Sequence, residues 1–173
     1  MLDFIKRRKT TYQFSDKKIQ GRDIVKILEA ARWAPSSKNS QPWKFIVVKN
    51  KANIEKIVSE CYYNLFHTTP QLIIAVVMDT KTPVRRLESL EMELRYINMG
   101  MPVVNMCYEA QMLGIGSCIL RPLGNEVEKI LKIPNNKKVP IVVGFGYEDK
   151  KTKQPKRTRK ELRGIVRYER YSE

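Results

Sequence analysis

Pro35-Ser36-Ser37-Lys38-Asn39-Ser40-Gln41-Pro42-Trp43 stands between a stretch with helical periodicity and a stretch with strand character. Upstream, Ile24, Ile27, Leu28 and Ala31 recur at i, i+3, i+4 and i+7, which predicts a helix over 22–34 with one buried stripe, stopped by Pro35. Downstream, residues 43–48 read as a strand. The connecting run holds hydroxyls, amides and two prolines, followed by an aromatic anchor at Trp43. Such a loop can be a plain connector. It also has the composition of a rigid surface offering donors and acceptors to a heteroaromatic ring.

The rest of the chain divides in the same way. Helices are predicted over 2–9, 52–61, 84–98, 102–113 and 124–131. Strands are predicted over 71–78, 115–120 and 139–147, with Ile165, Val166 and Tyr168 as further strand residues in a basic tail. The run 72–78 is wholly apolar and rich in β-branched residues, as a central strand buried on both faces requires. Helices and strands alternate irregularly and no repeat is visible. The expectation is one domain over residues 1–173, α+β in class, with a small, mostly antiparallel sheet flanked by helices.

Composition narrows the function. With 42% hydrophobic and 29% charged residues, the chain can bury a core and is not a disordered polymer. The seven-residue apolar run is too short to cross a bilayer, and no secretory signal is visible, so a cytoplasmic location without membrane partners is expected. Three cysteines (Cys61, Cys107, Cys118) without a CxxC, and a single histidine, His67, argue against a disulfide framework, a metal site and most His-assisted nucleophiles. Gly114-Ile115-Gly116-Ser117 and Gly144-Phe145-Gly146 match neither a phosphate loop nor a dinucleotide fingerprint and read as turn glycines. The formal charge is +15. Residues 1–22 hold seven basic and two acidic side chains, net +5, and residues 149–173 hold ten and four, net +6. Both ends of the chain therefore call for an anion. No RNA- or DNA-binding pattern accompanies the charge, which argues against nucleic acid as the partner.

The segment 32–48, RWAPSSKNSQPWKFIVV, resembles the flavin-binding segment of the nitroreductase family, FMN-dependent NAD(P)H oxidoreductases. Three further segments agree in order. Arg8-Lys9-Thr10-Thr11-Tyr12-Gln13-Phe14 is similar to the family's N-terminal basic motif. Residues 100–120, with Asn105 and LGIGSCIL, are similar to its central helix and following strand. Residues 155–166, PKRTRKELRGIV, are similar to its C-terminal basic motif. Together these cover about two thirds of the chain.

The resemblance implies noncovalent FMN in a homodimer with shared sites. Arg8, Lys9, Thr10, Arg157 and Arg159 would hold the phosphate. Pro35, Ser36, Ser37, Asn39 and Gln41 would line the flavin of the partner subunit. Leu120 and Arg121 would pass the ring, with the Arg121 backbone N–H as donor to flavin N5, because Pro122 has none. NAD(P)H would reduce the flavin, and a nitroaromatic, quinone or similar oxidant would then reoxidise it in a ping-pong cycle. No side chain is required as nucleophile or base, and no metal is implied. The alternatives are an FMN-storing or -sensing protein without efficient turnover, and a basic nucleic-acid-binding module. Three departures stand out: Tyr12 occupies a position where many members carry Arg or Lys, Asn98 one where an acid is common, and the lid region 80–96 is short.

Overall fold

The structure, a computed structural model, describes residues 1–62, 68–80, 88–149, 151 and 157–171, the side chains of 88–92 excepted. His67, the start of the helix expected over 84–98, part of the short lid region, and Pro155 lie outside the described residues.

The strands are β1 (Trp43–Val48), β2 (Cys61–Tyr62), β3 (Leu72–Asp79), β4 (Gly116–Pro122) and β5 (Lys137–Gly146). They form one sheet in the order β1-β3-β5-β4-β2, and every pairing is antiparallel. The helices are α1 (Leu2–Arg7), α2 (Gly21–Arg32), α3 (Lys51–Ser59), α4 (Glu88–Met112) and α5 (Glu126–Ile130). The α+β class and the antiparallel sheet agree with the sequence reading.

The pleat of β3 explains its composition. Leu72, Ile74, Val76 and Met78 belong to a core with Ile24, Ile27 and Ala31 of α2 and Met99, Val103 and Met106 of α4. Ile73, Ala75 and Val77 face the opposite way, into a second core with Ile54 and Ile57 of α3 and Val127 of α5. A strand covered on both faces leaves no position for a polar side chain.

Two expectations are corrected. The separate helices over 84–98 and 102–113 are, within the described residues, one helix that runs through Pro102. Proline removes one backbone hydrogen bond, but Met99, Val103, Met106, Cys107 and Ala110 are buried on either side of it. That tertiary burial carries the helix across the break. The tail is the second correction. Ile165 and Tyr168 are exposed and belong to no strand; a 3-10 turn at Leu162–Gly164 precedes them.

The two glycine pairs are also more than turns. Gly114 has φ +70 and ends the α4 region as a turn would. Gly116 and Gly146 lie in strands, where the N-terminal segment crosses them closely. A Cβ on Gly116 would run into the Thr11 side chain, and one on Gly146 would sit 2.7 Å from Phe14 Cδ1. These contacts seat the N-terminal segment on the sheet edge: Thr10 bridges to Ser117 and Phe14 to Glu148.

Helix α4 has a second face. Leu94, Ile97, Met101 and Val104 follow a 3-4-3 spacing and are exposed, Ile97 at 56% and Val104 at 49%. An apolar stripe of this spacing is a packing surface rather than a solvated one.

Candidate functional site

The N-terminal crossing places a cation over the start of β4. The Thr11 backbone N–H donates to the Ser117 carbonyl at 3.0 Å, fixing the chain beside the strand. Arg8 then spans the junction, its Nη1 donating to Ser117 Oγ and its Nη2 to Thr10 Oγ1, each at 3.4 Å. From the other end of the chain, Arg157 Nη1 donates to the Arg8 carbonyl oxygen. The Arg8 guanidinium and two hydroxyls thus meet at one place, with the Arg157 guanidinium held on the Arg8 main chain. Neither arginine has an ion-pair partner among the described residues. Like charges brought together without a carboxylate form a site for an oxyanion, and guanidinium geometry suits phosphate.

Lys9 and Arg159 are placed differently. Lys9 Nζ is ion-paired with Glu148 Oε1 at 2.6 Å. Arg159 Nη1 donates to the neighbouring Thr158 carbonyl at 2.7 Å, and its side chain is exposed. Ser117 was not singled out from the sequence; its place beside two glycines was the only signal.

Under this cluster lies Cys107. Burial pushes its thiol pKa up, partly offset by Ser117 and Arg8. Burial likewise pushes Cys61 and Cys118 up to about 12. All three thiols are neutral at physiological pH, unsuited to nucleophilic work.

The loop after α2 is built from its own polar groups. Ser36 Oγ accepts from the Gln41 backbone N–H at 2.9 Å, and Gln41 Nε2 donates to Asn39 O and Oδ1, both at 3.3 Å. The Ser37 backbone N–H donates to Oδ1 of Asn98 at 3.1 Å. Asn98 sits on α4 and is only 5% exposed, so it fastens the loop to the helix. Its position was noticed in the sequence as a departure, but not its function as a fastener. Lys38, Asn39 and Gln41 all have φ between 45 and 54. That region is uncommon for lysine and glutamine, and strain of this kind is retained where the surrounding contacts over-determine it, often at ligand sites. Pro35, Asn39 and Gln41 are exposed, Ser36 and Ser37 half-buried. Trp43 is buried in the α2–α4 core, as an anchor should be.

Nine residues of α4 separate Asn98 from Cys107, a rise of about 14 Å. Within one chain the loop and the arginine pair are therefore set apart along the helix. At the far end of β4, Leu120 is buried, while Arg121 pairs with Tyr62 of β2 and lines a cleft. Among the described residues no cluster of His, Cys, Asp or Glu has the make-up of a metal site. No helix there is long and apolar enough to cross a membrane.

Comparison with known proteins agrees with this architecture. A family model described as the nitroreductase family matches residues 5–72. An Archaeoglobus fulgidus protein provisionally named NADH dehydrogenase/NAD(P)H nitroreductase is 32% identical over 151 residues, covering 84% of each chain. The iodotyrosine deiodinase of Thermotoga neapolitana is 28% identical over 186 residues, covering 97% of each. Among solved structures, a nitroreductase family protein from Clostridium difficile 630 superposes with a TM-score of 0.82 at 26% identity, covering 99% of both chains. An FMN-dependent nitroreductase from C. difficile R20291 gives 0.81 at 23% identity, covering 99% of this chain and all 100% of that one.

Proposed function

Because the chain belongs to the nitroreductase family, we propose that it is an FMN-dependent oxidoreductase, a single flavin-binding unit over residues 1–173 that is reduced by NAD(P)H and in turn reduces a nitroaromatic, quinone or similar acceptor. The observation that carries this reading is Arg8 reaching the hydroxyls of Thr10 and Ser117 while Arg157, from the other end of the chain, is held on the Arg8 backbone carbonyl. This donor set fits the terminal phosphate of FMN, which carries about two negative charges. Bound FMN would supply hydride transfer at N5.

The protein's part is to bind and orient. Arg8, Thr10, Ser117 and Arg157 hold the phosphate end, whereas Lys9, already paired with Glu148, and the exposed Arg159 lie outside that donor set. The loop of Pro35, Ser36, Ser37, Asn39 and Gln41 covers the ring of the partner subunit. Its rigidity, secured by Asn98, supports that use. Leu120 and Arg121 pass the ring from the strand side. A homodimer is supported by the outward stripe of α4 and by the exposed Leu162, Ile165, Tyr168 and Tyr171 of the tail, apolar groups that a second chain would cover.

The test begins with the purified protein. Heat release and chromatography should yield FMN at about one per chain. FAD alone, or no binding at saturating FMN, would refute the reading. Under anaerobic conditions NADH or NADPH should bleach the flavin absorbance and a quinone should restore it. A flavin that binds but does not cycle would identify a storage protein instead.

A further inference from the structure

Side chains alternate along a strand, so Ser117, Ile119 and Arg121 share one face of β4, while Cys118 and Leu120 are buried in the core on the other. Ser117 begins that face, where it accepts from Arg8. Ile119 follows, 45% exposed although its strand is paired with β5. Arg121, about 13 Å from Ser117 at the rise of a strand, lines a cleft of about 450 Å³, within the range of small-molecule sites. Lys138 of β5 lines the same cleft and is half-buried. Its Nζ donates to the neutral Asn125 Oδ1 at 2.9 Å, and neither cation has an ion pair among the described residues. The acidic side chain of the wall, Glu128, is closed off: its Oε1 accepts from the Val139 backbone N–H at 2.9 Å, and its Oε2 is buried from solvent. A half-buried ammonium without a counter-ion carries a desolvation cost that an arriving anion offsets. Tyr96 of α4, 52% exposed, brings an aromatic ring to the cleft.

We infer that this cleft selects aromatic electron acceptors that bear a carboxylate. The carboxylate meets Lys138 and Arg121, the ring lies along Tyr96, and the reducible group lies toward Ile119. The inference rests on the functional reading above, in which the cofactor runs from Arg8 and Ser117 along this face of β4. For a nitroaromatic acid the balance is a two-electron one. NAD(P)H is oxidised to NAD(P)⁺ by loss of a hydride. The hydride and one proton from solvent reduce the nitro group to nitroso; one N–O bond breaks and its oxygen leaves as water.

The test compares 4-nitrobenzoate with methyl 4-nitrobenzoate, which keeps the reducible group and loses the charge, on the FMN-loaded protein with NADH under anaerobic conditions. The acid should be preferred in kcat/KM by about tenfold, the scale of one charge-assisted contact. Lys138→Gln, which keeps a donor for Asn125 but not the charge, should remove most of that preference, and Lys138→Arg should retain it. Added salt should shrink the preference. Equal kcat/KM for acid and ester, or a preference unaltered in Lys138→Gln, would overturn the inference. Equilibrium dialysis of both compounds against protein freed of flavin reads the cleft by itself. There too the acid should bind more tightly than the ester, and Lys138→Gln should abolish the difference. A protein that takes up no FMN yet shows this difference refutes the flavin reading, and the acceptor's role with it, while the carboxylate site stands. A protein that cycles on FMN with no preference for the acid keeps the flavin reading and loses the site.

Discussion

Arg157 and Arg159 lie two residues apart in the same basic tail, and composition treats them alike. Arg157 joins Arg8, whereas Arg159 bonds to its own neighbour's carbonyl. Arg157→Ala should therefore weaken FMN binding roughly ten- to a hundredfold, the range for a charge-assisted contact, while riboflavin, without the phosphate, is little affected. Arg159→Ala should produce the smaller change. Fluorescence titration with both ligands checks this, and equal losses of FMN and riboflavin would place Arg157 away from the phosphate. A second residue-scale outcome concerns Cys118, whose thiol is raised from 9.0 to about 12, chiefly by burial. The unfolded thiol ionises first as pH rises, so the stability it contributes is complete below pH 9 and lost progressively toward pH 12. Urea unfolding at about pH 8 and pH 10 should show a loss that is smaller in Cys118→Ala; equal losses in both proteins would refute this contribution. The role of Ser117 was hidden in the sequence for a physical reason: its partners Arg8 and Thr10 are more than a hundred positions away.

Elements were legible where local pattern and burial agree. The periodicity in 22–34 corresponds to α2, and the apolar run at 72–78 to β3, because both are buried as their patterns demand. The sequence pattern divides α4 at Pro102 and gives the tail strand character because the deciding forces are long-range: core packing bridges the proline, and no strand among the described residues runs beside 165–168. The loop at 35–43 was legible as a rigid polar surface, but its fastening was not, since Asn98 comes from another element. Asn98→Ala would leave the half-buried Ser37 N–H without its acceptor, at a cost of about 1–3 kcal/mol. In thermal unfolding the variant should melt below the parent. If the loop addresses the ring, FMN and riboflavin should lose affinity by the same factor, in contrast to Arg157→Ala. A loss restricted to FMN would contradict that division.

At the scale of the whole molecule, one chain leaves two surfaces unresolved. The loop lies about 14 Å along α4 from the arginine pair, and the same helix turns Ile97, Met101 and Val104 outward. Packing two copies of α4 along that stripe would bury it, and would bring one chain's loop toward the other chain's phosphate site. A charged residue in the stripe then has a definite consequence. Val104→Glu should shift the protein from dimer to monomer in sedimentation and reduce flavin occupancy in parallel, although no flavin contact is removed. Shared sites permit a stricter test by complementation. Ser37→Trp obstructs the loop side, and Arg157→Ala weakens the phosphate side. If the two sides come from different chains, a mixed dimer of these variants has one site with both defects and one with neither. Co-expressed variants, purified as verified heterodimers, should regain tight FMN binding in about half of their sites, which neither variant shows alone. A flavin-loaded monomer, or heterodimers without recovery, would place both sides of the site within a single chain.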